Sequence, residues 1–299
     1  NAAQKNAILM QFRLAYLADS EVHWCPELGT VLANDEVKGG LSERGGHPVE
    51  KKKMRQWMMR ITAYSERLLS GLEGLNWTDS IKEAQRNWVG RSEGALVRFK
   101  ISSGGFVEVF TTRPDTIYGV SFIVLAPEHE LVSELTSDEN RKAAETYIAA
   151  AVRKSERERQ GEKEVTGVAL GGSVLHPFTG EEIPVYIAEY VLAGYGTGAI
   201  MAVPAGDERD WKFAKHFNIE IPTIFEGVDN DETVCTEESA VLTNSRELNG
   251  MSKKDAIPAA LDLLEAGGHG ERKVNYRLRD AVFSRQRYWG EPFPICYVD

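Results

Sequence analysis

Phe110-Thr111-Thr112-Arg113-Pro114-Asp115-Thr116-Ile117-Tyr118-Gly119 closes an apolar run and crowds three threonines, an arginine and an aspartate into six positions. Phe106, Val107, Val109 and Phe110 predict a buried strand, and Pro114 ends it because proline cannot donate to a ladder. A polar cluster on a rigid turn at a strand end is a common place for chemistry. The same residues also fit an N-cap, Asp115 or Thr116, on a short following element. Residue chemistry alone leaves both readings open.

Around this stretch the patterning is mixed. Ala95, Val97, Phe99 and Ile101 alternate with Leu96, Arg98 and Lys100 and predict a strand, followed by a turn at Ser102-Ser103-Gly104-Gly105. Val120–Ala126 is apolar almost throughout, as in a strand covered on both faces. Thr136-Ser137-Asp138-Glu139 reads as a capping box opening a helix through Ala143, Tyr147, Ile148 and Val152. The charged run from Arg153 to Glu164 reads as a solvated face. Val165–Leu175 and Ile183–Leu192 predict further strands joined by a turn at His176–Gly180, where His176 reads as structural. Short strands with intervening helices fit a compact barrel decorated by helices, an α+β chain.

The second informative stretch is Gly194-Tyr195-Gly196-Thr197-Gly198-Ala199-Ile200-Met201-Ala202-Val203-Pro204. Its GxGxG spacing precedes a strand, so it is not a dinucleotide loop; the glycines suit close approach of backbone to a ligand. Gly206-Asp207-Glu208-Arg209-Asp210 then opens a helix, where acids favour the dipole, and Asp210 lies one turn beyond Asp207 on the same face. Met251-Ser252-Lys253-Lys254 imitates an ATP-binding loop, but Ser252 three residues before Asp255 is an ordinary capping box, ahead of a helix that stops at Gly267. Toward the amino terminus, 7–16 predicts an amphipathic helix. So does 55–72, where Trp57, Ile61, Tyr64, Leu68 and Leu72 form one stripe.

The chain has 299 residues, 42% of them hydrophobic, enough for one large domain or two modest ones. No run of eighteen apolar residues predicts a membrane span. Cys25, Cys235 and Cys296 are far apart, which predicts neither a disulfide framework nor a zinc site and suits the cytoplasm. A net charge of -10 argues against gripping duplex nucleic acid by counterion release. The opening Asn1-Ala2-Ala3, without methionine, is read as the edge of a larger protein.

Five segments, in order, resemble the leucyl-tRNA synthetase family. Thr111 to Thr116 reads TTRPDT, the threonine-rich motif of its editing domain, where valyl enzymes carry TTRPET and isoleucyl enzymes TTTPWT. GTGAIMAVPAGDERD, from Gly196, resembles GTGAVMAVPxHDxRD, with Gly206 where many relatives have histidine. His23-Trp24-Cys25-Pro26, Arg86-Asn87-Trp88-Val89-Gly90-Arg91-Ser92-Glu93-Gly94 and Ser284-Arg285-Gln286-Arg287-Tyr288-Trp289-Gly290 resemble the segments by which that family's catalytic domain is left and re-entered. The resemblance implies a closed six-stranded β-barrel editing core decorated by helices at 92–275. A smaller helical or irregular flank precedes it at 1–91, and a return segment follows at 276–299. It implies hydrolysis of the ester between a noncognate amino acid (isoleucine, methionine or norvaline) and the terminal adenosine of tRNA(Leu), leucine being excluded. Asp210 would bind the substrate ammonium; Thr111, Thr112 and Arg113 would position water and stabilise the oxyanion. Thr116 would be the steric gate, with Met201 and Val203 as the wall. Tyr195 would contact the adenosine or amino acid, and Arg113 would also be held by Asp207 or meet the terminal nucleotide. No metal or cofactor is implied for editing, while the whole synthetase would use ATP and magnesium. The partners implied are the 3′ end of aminoacylated tRNA(Leu) and the rest of the synthetase, with the chain itself a monomer. Two other readings are a noncatalytic tRNA-binding module and the editing domain of a valyl or isoleucyl enzyme. A triad hydrolase finds no GxSxG.

Overall fold

Phe122-Ile123-Val124-Leu125 is buried at every residue, and the alternation of a strand sends its side chains to two different cores. Ile123 and Leu125 join the larger core; Phe122 and Val124 join a smaller one with Ala202 and Phe213. The computed structural model describes residues 2–152, 154, 158–159, 164–193, 196–230, 232–237 and 239–283. The chain divides into two compact units, one of residues 1–90 with the described residues from Tyr276 on, the other Arg91–Asn275.

In the first unit, helix α1 (Ala2–Phe12) precedes β1 (Ala15–Cys25), β2 (Thr30–Leu32), a small hairpin of β3 (Val37–Lys38) and β4 (Leu41–Ser42), and β5 (Glu50–Met59). Helices α2 (Ser65–Gly71) and α3 (Asp79–Val89) follow. Three expectations fail here. The flank is not merely helical or irregular, since β2, β1 and β5 form one antiparallel sheet. The first helix ends at Phe12, and Ala15 and Tyr16 start β1. The predicted helix over 55–72 begins as strand: β5 pairs with β1 from Trp24↔Glu50 to Ala15↔Met59. A ten-pair ladder outweighs a helical spacing. The supposed stripe is not a buried face, since Tyr64 is 40% and Leu68 50% exposed, while Gln56 and Met58 point inward.

The second unit is built on one seven-stranded sheet. Its strands are β6 (Arg91–Ile101), β7 (Phe106–Thr111), β8 (Phe122–Leu125), β9 (Val168–Leu175), β10 (Glu182–Ile187), β11 (Ala199–Ala202) and β12 (Gly270–Tyr276). The order is β11-β8-β10-β9-β6-β12, with β7 branching from β6, and β8 and β10 run parallel. This corrects the expectation of a closed six-stranded barrel. The path is open, and no ladder joins β7 back to β11 among the described residues. The reason lies in strand length. β11 has four residues, all paired with β8, between Gly198 at φ +72° and Pro204. The β6–β9 ladder is only two residue pairs, Lys100↔Leu175 and Ile101↔Val174.

Helix α4 (Val132–Leu135) and α5 (Arg141–Ala151) follow β8, α6 (Glu208–Phe217) follows β11, and α7 (Lys253–Ala266) precedes β12. Beyond β12, the two-residue β13 (Ala281–Val282) adds to the edge of β5. Phe213 and Ala214 of α6 cover the smaller core; Ala256, Ala260 and Leu264 of α7 close the larger one. The capping box expected at 136–139 does not form. Thr136 Oγ1 donates to Val132 O of the preceding turn, and α5 starts two residues past Glu139 with no side-chain cap. Ser252 does stand at the N-cap of α7, its hydroxyl 2.8 Å from Asp255 Oδ2. The strand expected over 183–192 stops at Ile187. The charged run is not wholly solvated either. Arg159 is 2% exposed and forms a two-pronged pair with Glu128.

Candidate functional site

The threonine motif sits where β7 runs out. Gly94 of β6 permits this, because a Cβ there would stand 2.0 Å from the carbonyl oxygen of Thr111. Beyond Thr111 the chain winds into a 3₁₀ turn, Pro114–Gly119, with proline in its first position where a missing N–H costs nothing. Its polar groups are spent locally. Arg113 N donates to Thr111 Oγ1 (3.0 Å), and the Thr116 hydroxyl donates to Arg113 O (2.9 Å). Arg113 grips Asp115 with Nε (3.0 Å) and a terminal nitrogen (2.9 Å). Asp115 is fully buried and Thr116 is 3% exposed; Thr112 is exposed. Arg113 is therefore held by Asp115, not by Asp207 as expected, and Asp115 is not an N-cap.

His176 supports this turn from behind. Its Nε2 donates to Ile117 O (3.0 Å), while Nδ1 accepts from the amides of Phe178 and Thr179. Burial pushes its pKa down, so the neutral ring is a structural brace.

The second motif places two acids at the start of α6. Asp207 caps the helix, accepting from Arg209 N (2.9 Å) and Asp210 N (3.0 Å). Asp210 is 6% exposed and accepts from Val203 N (2.8 Å). No cation lies within ion-pair distance of it among the described residues. Burial, and secondarily the charge of Asp207, push its carboxyl up to about 7; the Val203 amide and Arg209 oppose that rise. The Tyr190 phenol lies close enough to interact with it electrostatically.

Val203 joins the two halves. Its main chain holds Asp210, and its side chain approaches the 3₁₀ turn, where a Cβ on Gly119 would stand 3.1 Å from Val203 Cγ1. Met201 and Val203, 7% and 6% exposed, share the larger core with Ile117 and Val120. At Gly206 a Cβ would stand 3.3 Å from the ring of Phe225, so a larger residue presses on that phenylalanine. Tyr195 and the Ser284–Gly290 motif lie outside the described residues. Among the described residues no three His, Cys, Asp or Glu converge as a metal site. A cavity of about 640 Å³ bordered by Lys215, Asn218, Glu220 and Asp229 includes none of the predicted site residues. Sequence reasoning missed Asp115, whose only signal is its position two residues beyond Arg113, and Tyr190, which has none.

Comparisons with known proteins agree on one family. Residues 86–265 match the family model described as leucyl-tRNA synthetase, editing domain. A leucine–tRNA ligase of Christiangramia forsetii is 56% identical over 299 residues, covering 99% of this chain and 31% of that protein. One from Porphyromonas gingivalis is also 56% identical, over 99% of this chain and 33% of its own length. A crystal structure of the ternary complex of Agrobacterium radiobacter K84 agnB2 LeuRS-tRNA-LeuAMS superposes with a TM-score of 0.72 at 34% identity, over 96% of this chain and 34% of that one. The chain thus spans about a third of the length of the relatives it matches. With the family model covering more than half of it, this chain belongs to the leucyl-tRNA synthetase family and carries its editing domain.

Proposed function

We propose that the second unit hydrolyses the ester joining a noncognate amino acid to the 3′-terminal adenosine of tRNA(Leu), and spares the leucyl ester. The observation that carries this is the buried Asp210 carboxylate, held by a main-chain amide and with no cation in ion-pair reach among the described residues. Burying a charge without a partner is costly, and an incoming ammonium supplies that partner. The amino group of an aminoacyl ester is such a cation. A second site is needed because one methylene changes binding by only about 1–3 kcal/mol in an apolar pocket.

In this reading Asp210 anchors the ammonium, while Thr111, Thr112 and Arg113 orient water and stabilise the oxyanion. Arg113 is already fixed for that work by Asp115. Thr116, its hydroxyl tied to Arg113 O, limits the room for a side chain, with Met201 and Val203 as the facing wall. Asp207 serves by capping the helix that carries Asp210. The rest of the tRNA is held by other parts of the longer protein.

The test is deacylation of isoleucyl- and leucyl-tRNA(Leu) by the 299-residue chain. The isoleucyl ester is cleaved, the leucyl ester is not, and Asp210→Ala abolishes the activity. Thr116→Ala gains cleavage of the leucyl ester. A wild-type chain that binds but never cleaves, alone or within the full synthetase, refutes the reading in favour of a binding module.

A further inference from the structure

The Tyr190 hydroxyl is buried and meets no partner at full hydrogen-bond geometry, while the Asp210 carboxylate stands near enough to interact with it. Buried hydroxyls are nearly always satisfied, so an orphan asks for a reason. Its place is not accidental. Arg159 pins the main chain on both sides of Tyr190, donating from Nε to Glu189 O (3.0 Å) and from a terminal nitrogen to Val191 O (3.1 Å). Arg159 is itself fixed by Glu128. The Tyr190 ring packs edge-on against Phe213, centroids 6.1 Å apart, and the Arg209 guanidinium stands 5.2 Å from its centroid. Backbone and ring are both held, so the hydroxyl has a defined position beside the start of α6. The groups acting on Asp210 there are Asp207, Arg209, the Val203 amide and this phenol.

We propose that Tyr190 is a positioning residue for Asp210. Its hydroxyl donates a hydrogen bond to the ionised carboxylate, which then carries two donors, the Val203 amide and the Tyr190 phenol. The carboxylate is thereby set in one orientation, with its remaining lone pairs free for a substrate ammonium. The tyrosine keeps its proton throughout. This rests on the reading of Asp210 as the ammonium anchor, but its test does not need hydrolysis.

The experiment follows the ¹³Cγ resonance of Asp210 through a pH titration of the 299-residue chain, assigned by its loss in Asp210→Asn. Removing a donor to the charged form raises the midpoint, so Tyr190→Phe shifts it upward by about one pH unit. In the wild type, the Tyr190 ¹³Cζ resonance moves with the same midpoint, a readout that needs no variant at position 190. Where the chain deacylates, the acid limb of its pH profile shifts with the resonance. A midpoint unchanged or lowered in Tyr190→Phe overturns the proposal, as does a Tyr190 ¹³Cζ that ignores the titration. A wild type that hydrolyses nothing overturns the proposed function while leaving the titration readable.

Discussion

Asp210→Asn is expected to make the protein more stable, and only above a certain pH. The Asp210 carboxyl titrates at about 7 in the folded chain, against an ordinary 3.8. The folded protein therefore holds a proton that the unfolded chain has released. Stability from this group is fully present below about pH 4 and is lost as pH rises to about 7. About three pH units at 1.36 kcal/mol each give a ceiling of about 4 kcal/mol lost by pH 8. Asparagine keeps an oxygen for the Val203 amide and never ionises. For a unit of this size each kcal/mol is worth about 2–4 °C in Tm, so the gain at pH 8 is at most about 8–16 °C. Thermal melts followed by circular dichroism at pH 4.5 and pH 8 check it. The variant should melt close to wild type at pH 4.5 and well above it at pH 8. An equal offset at both values, in either direction, would sink the reasoning, because it would make Asp210 a plain hydrogen-bond acceptor.

Three further outcomes follow from the same contacts. Asp115→Asn removes the carboxylate that Arg113 grips and should cost about 1–3 kcal/mol in urea unfolding, discounted because Arg113 is partly exposed, together with a loss of deacylation. Gly94→Ala sets a methyl against the Thr111 carbonyl and should cost about 3 kcal/mol in the same assay, whereas Gly71→Ala, with nothing within 4 Å, should be neutral or stabilising. Arg159→Leu strands Glu128 and two main-chain carbonyls and should cost about 3–5 kcal/mol, read from the urea midpoint.

How much of this was legible depended on whether the signal was local. The alternation at 95–101 and the unbroken apolar run before Ala126 state their strands directly, because each side chain's face is fixed by its neighbours. That Asp207 and Ser252 stand at helix starts was likewise readable from three or four residues. Sheet closure was not, since it depends on ladders between segments far apart in sequence, and the four-residue β11 offers too little edge. The strand at Glu50–Met59 was hidden because its partner lies some thirty-five residues upstream and its residues also fit a helical spacing. In the site, the threonines and acids were visible as types. Which acid holds Arg113 was not, since Asp115 and Asp207 are equal on paper and only the 3₁₀ turn brings one of them into reach.

The double attachment of Val203 has an evolutionary consequence. What holds Asp210 is the amide of residue 203, a group that every amino acid but proline supplies. What faces the 3₁₀ turn is its side chain, which differs with every substitution at that position. In the proposed reading, the anchor for the ammonium is thus inherited with the backbone, while the size of the amino acid tolerated is set by a replaceable part. On that reading, lineages can retune which errors are destroyed one substitution at a time, without passing through an ancestor that has lost its hold on the substrate.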